Sequence, residues 1–190
     1  MAKGKSKGRN NSGGGGTATI IGTNNADTIN FINKQVKDLG ITGNIEVEFR
    51  QPKKSERNAG GFVSHSSDIE KQGDIYFAKP IYKVTVLGHK SLTTDNIIAH
   101  ELTHIKQMQD GRLKWGYKER REDYFGQTRI IRYEKGFYWE GKLHTTDKQY
   151  ESIMSARKRA KTQEAYQKAH ERYMALPWEK EAYAAGEKYD

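Results

Sequence analysis

Asn96-Ile97-Ile98-Ala99-His100-Glu101-Leu102-Thr103-His104-Ile105 carries the pattern H-E-x-x-H, and its spacing predicts a helix. Positions i and i+4 lie one above the other on a helix face, so His100 and His104 can present two imidazole nitrogens to one metal ion. Glu101 falls about 100° further round the helix. There its carboxylate stays out of the ligand set but can take a proton from a metal-activated water. Ile98, Leu102, Ile105 and Gln109 share a stripe roughly 140–180° from the histidines, which gives this helix a core side and a chemistry side.

Working outward, Thr93, Thr94 and Asp95 offer capping oxygens before the helix, and Asp110-Gly111 supplies a stop. A β-rich run, Tyr82 to Leu87, precedes it. Further upstream the letters predict a short strand or apolar anchor at Thr19 to Ile21 and a helix from an Asn24 or Asn25 cap to about Leu39, ending at Gly40. Strands are expected at Asn44 to Phe49, Phe62 to His65 and Asp74 to Ala78, with Pro80 bending the chain before Tyr82. Downstream, Leu113 to Asp123 is charged and gives no clear periodicity. An aromatic hairpin is expected with arms Thr128–Tyr133 and Phe137–Trp139 about a turn at Glu134 to Gly136, then a second turn at Glu140 to Lys142. A long charged helix, about 147–173, would start at a Thr146 cap, and Pro177 would open a last helix to about Gly186. The class predicted is α+β.

Hydrophobic residues make up 34% of the 190 and charged residues 30%. A modest core with polar, solvent-facing helices follows. The absence of cysteine rules out disulfides and cysteine-held zinc, so any metal must be held by His, Asp or Glu. No apolar run reaches the roughly 18–20 residues of a membrane span, and no signal-peptide core is evident; a cytoplasmic protein without a membrane partner is expected. The formal net charge of +9 is divided between the N-terminal arm, with Lys3, Lys5, Lys7 and Arg9, and a cluster at Arg157 to Lys161. A solvated basic surface is the simpler reading; contact with nucleic acid or with virion proteins is the alternative. Residues 1–16, rich in Gly, Lys, Ser and Asn, are expected to form a disordered basic arm ahead of a domain at 17–190. His65 and His89 stand apart and are expected to be ordinary surface or hydrogen-bonded histidines.

A catalytic zinc needs a third protein ligand, and His144, His170, Glu179 and Glu181 are the downstream candidates. Ala99-His100-Glu101-Leu102-Thr103-His104 resembles the active-site helix of the thermolysin-like gluzincins. Together with Tyr138-Trp139, Gly141-Lys142 and the closing run Leu176 to Ala182, it is similar to small zinc metallopeptidases encoded by bacteriophages and bacteria. The resemblance covers about residues 75–185. It implies a minimal zincin-like domain with a small, mostly antiparallel sheet, into which the charged helix at about 147–173 is an insertion. It also implies a Zn2+ held by His100, His104 and Glu181, the latter as a glutamate followed by alanine, with Glu179 as the alternative. Two residues apart on a helix is about 200°, so only one of the two glutamates can face the metal. The aspartate that the gluzincin pattern places four residues after the ligand glutamate is replaced by Ala185. The implied activity is hydrolysis of peptide or protein substrates with Glu101 as general base, the substrate lying along an exposed strand at Ile75 to Ala78. Tyr150, His144, His170 and Tyr183 are candidate oxyanion donors. The competing expectation is a structural or virion-packaged phage protein that keeps the fold and acts through its basic surfaces.

Overall fold

The computed structural model describes residues 15–53, 60–87 and 93–189, without the side chain of His65. The basic arm, but for its last two glycines, and His89 lie outside the described residues. Seven strands form one mixed sheet: β1 (Thr17–Ile21), β2 (Asn44–Phe49), β3 (Gly61–Gln72), β4 (Ile75–Val86), β5 (Leu113–Tyr124), β6 (Gln127–Trp139) and β7 (Lys142–Thr146). Among the described residues five α-helices accompany it: α1 (Ala26–Asp38), α2 (Thr94–Gln109), α3 (Asp147–Arg159), α4 (Gln163–Met174) and α5 (Pro177–Gly186). The fold is α+β. The β1–β2 and β2–β4 pairings are parallel, and the others are antiparallel. No helix among the described residues is long and apolar enough to cross a membrane.

The core forms where period-two and period-3.6 patterns meet. Ile45 and Val47 of β2 and Val84 and Val86 of β4 point to the same side and are buried. Onto them pack Ile32 and Val36 of α1 and Ile98, Leu102 and Ile105 of α2, the predicted apolar stripe. Each such side chain contributes about 1.5–3 kcal/mol on burial, so the core side of α2 is held firmly and its histidine side is left to face elsewhere.

Expectations in three stretches of the chain are corrected. Ile75 to Ala78 is not an exposed strand, because β4 is flanked by β3 on one side and by β2 and β5 on the other. The edge beside the site is β3, which among the described residues pairs only with β4. Pro80 does not separate two strands either; β4 continues through it, opposite the irregular stretch between Val63 and Ile69 of β3, where register shifts spare the ladder the missing N–H. Second, Glu134 to Gly136 is not a turn. Glu134 has φ +48 in mid-strand, beside the register shift between Gly116 and Lys118, and the hairpin partner of β6 is the charged run read as unassigned, now β5. The reversal is at Phe125-Gly126, both at positive φ. Third, the single helix expected at about 147–173 is two. Ala160 leaves helical geometry with ψ 121, and the Thr162 side chain caps a new start by accepting from the Ala165 N–H at 3.2 Å.

Candidate metal centre

Helix α2 has defined ends. The Thr93 hydroxyl accepts from the Asn96 N–H at 3.1 Å. At the other end Gly111, at φ +68, lets the N–H groups of Gly111 and Arg112 return to the carbonyls of Met108 and Gln107 at 3.0 Å each. This closure turns the chain directly into β5. Against α2 lies α5, antiparallel, in a ladder of contacts: Asn96 with Gly186, His100 with Tyr183, His104 with Glu179, and Gln107 with Trp178. A Cβ on Gly186 would sit 2.8 Å from Asn96 Oδ1, so the two helices approach closely at that end only because the residue is glycine.

Into the gap between them converge three ligand atoms. His100 Nε2 and His104 Nε2 are 3.1 Å apart, and Glu179 Oε2 lies 3.4 and 3.6 Å from them. Ligands about 2.0–2.1 Å from a tetrahedral ion stand about 3.3 Å from one another, which is the spacing found here. Glu179 is 4% exposed, and its Oε2 is buried with no hydrogen-bond partner. A buried, unpartnered carboxylate oxygen is costly unless a cation completes it. Two imidazoles and a carboxylate are also a donor set suited to zinc.

The ring of His104 is oriented from behind. Its Nδ1 lies 2.9 Å from Gln107 Oε1, while Gln107 Nε2 donates to the Trp178 carbonyl at 3.0 Å. A carbonyl can only accept, so the amide nitrogen of Gln107 must face it and the amide oxygen must face His104. Nδ1 of His104 therefore carries the hydrogen, and Nε2 offers its lone pair to the centre.

Burial opposes charge on Glu179, yet the two imidazoles beside it outweigh burial and hold its carboxyl well below the usual range. Burial likewise disfavours a charged His104, but Glu179, with Glu101 and Gln107, raises it to about 9. Without an ion, a proton on the imidazole supplies the positive charge that the carboxylate requires. Glu101, 6% exposed, is pushed up by burial, against the pull of the two histidines. The backbone of β3 passes close to it: a Cβ on Gly61 would lie 3.0 Å from Glu101 Cγ and 3.1 Å from its Oε1. The edge strand thus begins beside the candidate base.

Glu181, expected as the third ligand, does not meet the histidines, a correction to that expectation; the carboxylate beside them is that of Glu179, the alternative. Arg112 Nη1 and Nη2 donate to both Glu181 oxygens at 3.0 and 2.7 Å, away from the histidines. The rotation of α5 is decided by Trp178, 2% exposed and packed against Phe137, Trp139 and His144, and by Ala182, 0% exposed. With those two residues in the core, Glu179 faces the histidines and Glu181 faces the start of β5.

Among the proposed oxyanion donors, Tyr183 meets His100 edge-on at 4.6 Å between ring centres. Tyr150 and Tyr183 both feel Glu179 and Glu101, and burial pushes both phenols up, Tyr183 to about 12. His144 instead lies against Trp178, with Nδ1 3.0 Å from the Thr145 hydroxyl, and His170 lies behind Tyr183. Tyr173, not anticipated, is half-buried beside Glu179, and its phenol is pushed far up, first by desolvation and then by that carboxylate. Gln107 was also missed, although its i+3 spacing from His104 on a helix was a usable signal. Tyr173 had no such signal.

No family model, curated protein or solved structure matches the chain.

Proposed function

We propose that the chain is a zinc-dependent peptidase in which His100, His104 and Glu179 hold the ion and Glu101 is the general base. The observation that carries this reading is the convergence of three ligand atoms at tetrahedral spacing, one of them an orphaned buried carboxylate oxygen, beside a second buried carboxylate. Bound there, the ion would lower the pKa of a water to about 7 and polarise a scissile carbonyl. Glu101, raised by burial, would accept the water proton and return it to the leaving amine. Tyr183 and Tyr150, protonated at neutral pH, are donors available to the developing oxyanion. The substrate would lie along β3, whose outer backbone N–H and C=O groups can pair with an extended chain as an added strand.

The test is metal analysis and peptidase assay on four proteins. The parent chain should bind one zinc. Glu101→Gln should keep it and lose activity by a factor of about 10²–10⁴. Glu179→Ala should lose the metal, while Glu181→Ala should retain it. A parent chain that takes up no zinc at micromolar concentration would refute the assignment.

A further inference from the structure

Resting on that reading, we propose that Arg157 recognises a carboxylate of the substrate, selecting peptides that carry a negative charge close to the scissile bond. Arg157 lies on α3 seven residues after Tyr150, on the face that also carries buried Ile153. Its guanidinium sits 4.0 Å over the ring of Tyr173, the residue packed beside Glu179. Tyr166, Tyr173 and Tyr183 are the groups that face it, all phenols, and the nearby imidazole of His170 is held below its ordinary value by burial and by Arg157 itself. Among the described residues no carboxylate lies within ion-pair distance of Arg157, whereas Arg112, Arg120 and Arg132 each have one. Its Nε is buried without an acceptor, as is Nδ1 of His170.

A half-buried cation with no counter-charge is an unusual arrangement, because desolvating it is costly unless an anion completes it. Stacking on Tyr173 holds the guanidinium plane in place without neutralising it. A planar fork of N–H donors, fixed in this way, matches the two oxygens of a carboxylate. Its place also fits a substrate role. One ring, Tyr173, separates it from Glu179, and by a second route the rings of His170 and Tyr183 link its surroundings to His100, with centroids 5.8 and 4.6 Å apart. The carboxylate could be the C-terminus of a peptide or an acidic side chain.

Isothermal titration of the full chain with three peptides separates these sources: acetyl-Ala-Phe-Ala with a free C-terminus, the same peptide amidated, and amidated acetyl-Glu-Phe-Ala. At least one of the charged peptides should bind tenfold or more tightly than the uncharged amide, and which one does so names the source. The preference should disappear in Arg157→Met, which keeps a long side chain over Tyr173, and return in part in Arg157→Lys. It should persist in the metal-free chain; a carboxylate held by the ion would instead lose its advantage there and keep it in Arg157→Met. Equal affinity for all three peptides, no measurable binding of any, or a preference that survives Arg157→Met overturns the proposal. Failure of the zinc assignment would leave this charge preference intact, so the two outcomes are distinguishable.

Discussion

Gln107 is fully buried at 0% exposure, and both ends of its amide are used, the oxygen by His104 and the nitrogen by the Trp178 carbonyl. Replacing it with Leu would leave a buried imidazole N–H and a buried carbonyl without partners and free the ring to turn. Loss of such a support typically costs 10–100-fold in metal affinity. Gln107→Leu should therefore weaken zinc binding by about that factor in a competition titration with a chromogenic chelator. Unchanged affinity would show that packing alone orients the ring. Arg112 and Glu181 provide the contrast. Both are about one-third exposed or more, so the pair is worth on the order of 0–1 kcal/mol and Glu181→Ala should barely move the melting temperature.

Helix α5 is ten residues long, with no side-chain cap at Leu176 and Pro177 at its first position. Such a helix is too short to persist alone, and its orientation comes from what it buries. Trp178 is the largest side chain it buries. Trp178→Ala should destabilise the chain by about 3–5 kcal/mol in urea unfolding. It should also weaken zinc binding, because Glu179 and the carbonyl that anchors Gln107 belong to the same turn. A variant that unfolds more easily yet binds zinc as tightly as the parent would separate the aromatic anchor from the site. The β5–β6 hairpin is organised differently. Among the described residues, β5 beyond Lys118 pairs only with β6, which is why the charged letters of β5 carry no inward-facing alternation and gave no readable pattern, whereas the Thr128 to Tyr133 arm of β6 was readable.

For the whole molecule, the proposed centre would link stability to pH and to metal. His104 is raised in the folded metal-free protein from 6.5 to about 9. A group raised on folding stabilises fully below its unfolded value and loses that contribution as pH rises through the folded value. The metal-free chain should thus become less stable between about pH 6.5 and 9, as followed by thermal unfolding. Zinc bound as proposed would displace the same proton, so its affinity should rise with pH up to about 9, with proton release on binding measured by titration in buffers of different ionisation enthalpy. A flat stability profile for the metal-free chain across this range would contradict the pairing of His104 with Glu179. The letters of α2 alone settled a good deal: the i, i+4 histidines, the glutamate beside them, the opposed apolar stripe and the caps are all local, so 3.6-residue periodicity and capping chemistry specify them within one segment. The α+β class and most strands were legible for the same reason. Which carboxylate, which edge strand and which tyrosines meet the histidine pair was settled by long-range packing. Those depend on the rotation of α5 about Trp178 and on the partners each strand finds across the sheet, and neither is encoded in the spacing of neighbouring residues.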